Sequence, residues 1–440
     1  MILKNIFTYI LGLLLLFTGC AKQEVDLLFN ETPAERMGKL QAEVLAQLTE
    51  APNGWKVYNQ TLSRGNYGYF MQFDAKNRVK MIADINSKSA TDMQESAYRI
   101  RMINGPMLGF ETHNYIHLLN DPNPATMGGA RGDGLKSDIE FDLVKKTADS
   151  IVFKGRRYAT ALVLTPATAA EKASYEKGDY LVQIEKTKAF FKSNPVAYAE
   201  INNVKYQFFI NMNGKVLDAA SLQDGKPVFS KVSPFFFTLK GMEMPDTLKV
   251  GPANLRNFSF EGEKIFAQTK EGEKFEIKSS TSAIVPLTDL IGLKFPSIRS
   301  PYLTYFPGTS AAGLTILKRY HENLANRTTG YTFNSGYLDL KWDLVNKRIT
   351  LSGFASQNGG TSGWSTTIVY DYTFDAATKQ YTLKKRTAAS GGYTAVILDQ
   401  MDAFLLSGPI SLDYYFDSGN AYGKIKGVSK PEVEITFQLQ

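Results

Sequence analysis

From Trp55 onward the apolar residues of this chain recur at every second position, and that period decides what the chain can become. Tyr67-Gly68-Tyr69-Phe70-Met71-Gln72-Phe73 reads as a strand, Asp74-Ala75-Lys76-Asn77 as a turn, and Arg78-Val79-Lys80-Met81-Ile82 as the strand that returns. Successive side chains on a strand point to opposite faces, so such a pattern needs a covered face on every strand. Further strands are expected near 97–103, 107–118, 138–144, 149–155 and 158–165. Towards the end of the chain they are expected at 331–342, 347–353, 365–374, 380–386, 392–398, 409–416 and 432–438. Short strands at regular spacing with polar turns predict an antiparallel meander or barrel-like β domains. The expected fold class is mainly β with a few helices, a β-rich α+β chain.

The helices are fewer and better marked. Thr32-Pro33-Ala34-Glu35 combines an N-cap, Pro at the first helical position and a capping-box Glu. Met37, Leu40, Val44, Leu45 and Leu48 follow at helical spacing, and Pro52-Asn53-Gly54 ends the run. Residues 169–173 and 180–186 predict two short helices with Gly178 between them, a connector between β units. Residues 296–307 hold Pro296, Pro301 and Pro307 and read as loop, and 311–324 as helix. Basic clusters such as Lys384-Lys385-Arg386 lie beside strands and read as solvated edge guards. With a net charge of only +7, no nucleic-acid partner is expected.

The chain has one cysteine, Cys20. Lys4 is the sole charged residue before it, and 6–17 is apolar except for Thr8 and Gly12. A charged start, a short apolar core and small residues before a cut describe a signal peptide; a spanning helix needs about 20 apolar residues. Phe17-Thr18-Gly19-Cys20 resembles a bacterial lipobox, with Phe17 where Leu is usual. That resemblance implies lipidation at Cys20 and attachment to a membrane, with Ala21-Lys22-Gln23-Glu24-Val25-Asp26 similar to a surface-export signal. At about 150 residues per domain, 440 residues predict two or three. The expected layout is a signal peptide at 1–19, a tether at 20–31, a helix plus β domain at 32–166, a helical connector plus second β domain at 167–295, and a helix plus C-terminal β domain at 296–440. The hairpin 73–79 is echoed by 210–216, and Gly105-Pro106-Met107-Leu108 by Ser233-Pro234-Phe235-Phe236, so the second β unit is a possible repeat of the first.

No catalytic, metal or cofactor motif is found. His113 and His117 would share a face on a strand but lie about 13 Å apart, too far for shared ligation without a bend. His321-Glu322-Asn323-Leu324-Ala325 begins like a zinc-protease helix and lacks the second histidine. Asp121, Asp133 and Asp138 flank a polar loop that could hold calcium, and a solvated loop explains them more simply. No nucleophile elbow or phosphate loop occurs. Dispersed carboxylates for a hydrolase stay open. Trp364 follows Gly359-Gly360-Thr361-Ser362-Gly363 and could stack on a sugar ring or a peptide side chain. The pattern favours a strand-end residue packing on its own sheet. Trp55 is expected to pack into the first β domain, and Trp342 to sit within a strand.

Several features in order resemble one family: the lipobox, the helix at Thr32-Pro33-Ala34-Glu35-Arg36-Met37, Ala51-Pro52-Asn53-Gly54-Trp55, the aromatic hairpin Tyr69 to Val79, and Ser150-Ile151-Val152-Phe153-Lys154-Gly155-Arg156-Arg157-Tyr158. Together they resemble the Bacteroidetes lipoproteins grouped as domain of unknown function 4302. That family has no established activity, and its members are commonly encoded near outer-membrane import pairs and lipoprotein zinc hydrolases. The resemblance implies a surface-exposed outer-membrane lipoprotein that captures glycan or peptide beside an importer, without being an enzyme. A hydrolase with dispersed carboxylates and a purely structural envelope protein are the alternatives.

Overall fold

The computed structural model describes residues 32–327, 333–357, 363–387 and 397–440. It begins on α1 (Pro33–Thr49), whose capping box is formed as expected. The Glu35 N–H donates to Thr32 Oγ1 at 3.2 Å, and the Thr32 N–H donates to Glu35 Oε2 at 2.8 Å. Val44 and Leu48 on its inner stripe are buried in the core of the sheet that follows, and the Trp55 indole N–H donates to the Leu48 carbonyl at 3.0 Å. The helix is thereby fixed at both ends.

Eight strands then close into an antiparallel barrel: β1 (Trp55–Asn59), β2 (Tyr67–Phe73), β3 (Arg78–Ala83), β4 (Gln94–Met102), β5 (Pro106–Phe110), β6 (Glu140–Lys146), β7 (Ile151–Gly155) and β8 (Ala161–Pro166). Closure is made by β1, where Val57 faces Tyr69 on one side and Leu164 on the other. Closing the sheet removes both of its free edges. On the other face of β2, Gly68 and Phe70 do not return to solvent. Tyr67, Tyr69, Met71 and Phe73 point into the barrel, while Phe70, with Ile82 of β3, joins the core of the next unit. Burial on both faces is why this strand reads as a nearly continuous apolar run.

One correction falls in this barrel. The strand expected over 107–118 stops at Phe110, and α2 (Tyr115–Leu118) replaces its second half. Asn114 caps that turn, its Oδ1 accepting from the N–H groups of Ile116 at 2.9 Å and His117 at 3.4 Å. A second short turn, α3 (Pro124–Met127), lies in the polar loop.

The connector is helical as expected, with α4 (Ala169–Lys177) and α5 (Asp179–Ser193) meeting at Gly178, whose φ of 92° is glycine's region. They lead into a central unit of two antiparallel sheets. The first has the order β12-β11-β10-β9-β19, with β13 also on β11: β9 (Ala197–Ile201), β10 (Val204–Asn211), β11 (Val216–Gln223), β12 (Lys226–Phe229), β13 (Ser233–Pro234) and β19 (Lys278–Ser279). The second runs β14-β15-β16-β17-β18: β14 (Phe236–Thr238), β15 (Gly241–Val250), β16 (Ala253–Glu261), β17 (Lys264–Thr269) and β18 (Lys274–Glu276). Both echoing segments are hairpins, with Phe73 paired to Val79 and Asn211 to Val216. The sheets around them differ, one a closed barrel and the other an open pair.

The barrel topology returns in the last third. After α6 (Leu287–Leu290), a second closed eight-stranded barrel is formed by β20 (Ser297–Pro301), β21 (Ser335–Asp343), β22 (Arg348–Ser356), β23 (Gly363–Asp375), β24 (Gln380–Lys385), β25 (Ile410–Asp417), β26 (Asn420–Gly427) and β27 (Glu434–Leu439), with α7 (Ala311–Arg327) and α8 (Asp399–Leu405) packed on it. Pro296–Pro307 is therefore not all loop. Pro296 precedes and Pro301 ends β20, where a missing N–H costs the ladder little, and Ile298 and Ser300 are buried between them. Much of the strand expected at 392–398 lies outside the described residues, and the chain re-enters as α8. Strand β26 was hidden by its polar composition, Asn-Ala-Tyr-Gly-Lys-Ile-Lys-Gly.

Candidate functional site

The outer wall of the first barrel and the second sheet of the central unit enclose a cleft of about 700 Å³. The alternation on β1 builds one side. Trp55, Val57 and Asn59 are buried inward, which leaves Lys56 and Tyr58 facing out into the cleft. Glu171 and Tyr175 of α4 and Tyr180 of α5 contribute to its lining.

Strand register builds the other side. Glu243 of β15 is paired with Asn257 of β16, Asn257 with Gln268 of β17, and Gln268 with Lys274 of β18. Directly opposed residues share a face about 5 Å apart, so these four form one polar row across four strands. All four line the cleft, and their strand neighbours Met242, Phe258 and Ala267 are fully buried. Among the described residues, the side-chain amides of Asn257 and Gln268 make no hydrogen bond, and Asn257 Oδ1 is buried without a partner. A buried amide oxygen left unpaired costs about 1–3 kcal/mol, so native sites of this kind usually have a reason.

The charges around the row are already matched. Lys56 Nζ lies 2.6 Å from Glu171 Oε1, Arg256 Nη2 lies 2.8 Å from Glu243 Oε1, and Lys274 pairs with Glu261. Burial would raise the Glu171 carboxyl, but the Lys56 hydrogen bond and the Thr168 N–H outweigh it and hold the group below its usual range. Burial raises the Tyr58 phenol, opposed by the nearby Arg256 charge. The Tyr58 ring stacks on Phe236 with centroids 5.3 Å apart and is itself only half-buried. Exposed Lys240 is the lining cation without a carboxylate partner among the described residues.

The cleft's walls are held by a buried polar joint. Asp84, at the end of β3, accepts the Gly68 N–H on Oδ1 at 2.9 Å and the Phe237 N–H on Oδ2 at 2.8 Å. Lys215 Nζ lies 2.5 Å from Asp84 Oδ1, donates to the Asp84 carbonyl at 2.8 Å, and sits 3.9 Å from the centre of the Tyr67 ring. Burial pulls Lys215 down to about 8 and pushes Asp84 up, while their mutual attraction opposes both shifts. Gly68 is what allows the approach. A Cβ there would lie 2.6 Å from Tyr180 Oη and 2.7 Å from the Phe237 carbonyl oxygen. The edge of β14 facing the barrel is used up. Phe237 donates to Asp84 and accepts from Tyr180 Oη at 3.0 Å, and the Phe235 carbonyl accepts from the Asn66 N–H at 3.1 Å.

The residues singled out from sequence lie elsewhere. Cys20 is outside the described residues. Trp364 opens β23 on the C-terminal barrel, 43% exposed and edge-to-face with Phe333 at 5.6 Å. Trp55 is buried in the first barrel's core and Trp342 within β21. His113 and His117 are not 13 Å apart. The turn at α2 brings their rings to 5.8 Å, with His117 Nδ1 2.9 Å from Asn114 Oδ1. Burial, then the His113 charge, lowers the His117 pKa. Among the described residues no three His, Cys, Asp or Glu side chains gather to hold a metal. Asp138 instead accepts the N–H groups of Arg157 at 2.7 Å and Tyr158 at 3.0 Å, and Asp133 accepts from Tyr158 Oη at 3.2 Å. His321 is buried against Tyr302, Tyr305 and Tyr320.

Sequence reasoning missed the polar row because its members have no local motif. Only the pairing of four strands brings them into line. Burial raises the carboxyls of Asp84 and Asp218, each of which is held against a lysine away from the polar row. The arrangement in the cleft suits binding by hydrogen bonds.

A family model described as Domain of unknown function (DUF4302) matches residues 25–262, more than half of the chain. The match covers α1, the first barrel and the central unit through β16, and so most of the cleft. No curated protein matches.

Proposed function

The chain belongs to the DUF4302 family, and we propose that it is a lipid-anchored, surface-exposed protein of the outer membrane that binds a glycan or peptide beside an importer. The observation that carries this reading is the cleft: about 700 Å³, within the size range of small-ligand sites, and lined by unpartnered amides and the half-buried Tyr58 ring. The anchor is read from Phe17-Thr18-Gly19-Cys20, whose thiol would carry the lipid. Multiple acyl chains at about 0.8 kcal/mol per buried CH₂ would hold the protein at the membrane permanently. The body then serves as a rigid receptor, with the first barrel and the central unit locked together so that the cleft keeps its shape.

The test is a binding screen of the purified chain against glycans and peptides, run beside an assay for their cleavage. The reading predicts saturable binding of one class and no turnover. It also predicts that cells lacking the gene grow poorly on the corresponding polymer. Hydrolysis by the purified chain, abolished by a single carboxylate substitution, would contradict it.

A further inference from the structure

We infer that the cleft takes a neutral, hydroxyl-rich ligand, a stretch of uncharged glycan, held on the row Glu243, Asn257, Gln268 and Lys274. This deepens the capture reading and rests on it. The two central members of the row are amides, each offering a donor pair and an acceptor to whatever lies above them. Neither is engaged by another described residue, and Asn257 Oδ1 is buried with nothing to accept from. Vicinal hydroxyls supply a donor and an acceptor side by side, which matches two amides about 5 Å apart.

The flanking charges point the same way. Each acid of the cleft wall already has its cation: Glu171 with Lys56, Glu243 with Arg256, Glu261 with Lys274. A charged ligand would have to break one of these pairs or sit desolvated without a counter-charge, and both are unfavourable. Lys240 is exposed, where a single ion pair contributes little. Paired ions still have spare lone pairs and N–H groups for hydroxyls. A peptide is the poorer fit. Extended peptides are bound by main-chain pairing to a free strand edge. At β14 that edge is occupied by Asp84, Tyr180 and Asn66. Tyr58 supplies the half-buried ring at the opposite wall.

The experiment titrates the purified chain with neutral oligosaccharides, uronic-acid oligosaccharides of matched length, and short peptides, at low and high salt. Each titration is repeated with Asn257→Ala/Gln268→Ala and with Trp364→Ala. Both residues are only partly buried, on the cleft face of the sheet rather than in the core behind it, so circular dichroism should be unaltered. The expected result is binding of a neutral oligosaccharide that changes little with salt. It should weaken about ten-fold or more in the double variant, as the loss of two hydrogen bonds implies, and be retained in Trp364→Ala. Binding of acidic glycan or of peptide alone overturns the inference and leaves the capture reading standing. So does neutral-glycan binding indifferent to the amides. Failure of the whole panel to bind overturns both.

Discussion

Lys215 and Asp84, 131 residues apart in the chain, form a buried ion pair 2.5 Å long that joins the first barrel to the central unit. Breaking a buried pair by removing one partner strands a charge and costs about 3–5 kcal/mol. Lys215→Met and Asp84→Asn should each lower the chemical denaturation midpoint of the first barrel and central unit markedly. The double variant should recover part of the loss, because no charge is left alone. A double variant as damaged as the sum of the singles would show that the pair is not coupled.

A second buried pair lies three residues further along. Lys294 Nζ is 2.6 Å from Asp218 Oδ1, above the rings of Phe209 and Phe295. Lys294→Met should destabilise the junction between β11 and α6 by about 3–5 kcal/mol, because it leaves Asp218 buried alone. Thermal denaturation of the variant should show an earlier transition, and combining it with Asp218→Leu should move that transition back.

Gly68→Ala should be destabilising although it adds one methyl group. The new Cβ meets the Phe237 carbonyl at 2.7 Å, backbone that cannot rotate away. Overpacking of this kind costs about 1–3 kcal/mol. The effect should appear in hydrogen exchange as lost protection at Gly68 and Phe237, whose N–H groups both bind Asp84, while the amides of β20–β27 keep theirs. Unchanged protection at Phe237 would contradict the close approach.

His321 gives the fold a pH dependence. Its Nε2 accepts the Leu303 N–H at 3.3 Å and its Nδ1 is 3.0 Å from Tyr305 Oη, so the neutral ring is fully used. Burial lowers its pKa to about 4 from the ordinary value near 6.5. A group whose folded pKa is depressed stabilises the fold above the unfolded value and loses that contribution as pH falls through the folded one. Stability should therefore decline between about pH 6.5 and 4. His321→Gln should flatten the decline over that window in denaturant midpoints measured against pH.

How much of this was legible in the sequence depends on the range of the interaction. The capping box at Thr32–Glu35, the hairpin 67–83 and the two connector helices are local, and each was readable from a few residues. The α2 turn was missed because Asn114 was read as part of an alternating strand rather than as a cap. Strand β26 was missed because half of its residues face outward and are polar. The polar row is of a third kind. Glu243 and Lys274 are ordinary surface residues until β15 to β18 pair in register, including the shift between Leu255 and Asn257 that sets Asn257 opposite Gln268. Nor does the sequence announce that the outer face of β2 is covered. Phe70 looks like any strand aromatic until the central unit docks on it.

The most direct test of the central claim is hydrogen–deuterium exchange of the purified chain with and without the glycan or peptide that it binds. The account predicts protection gained in β1 and in β15 to β17, along the two walls of the cleft, with the C-terminal barrel unchanged. Protection gained around Trp364 on β23, with the cleft silent, would contradict it.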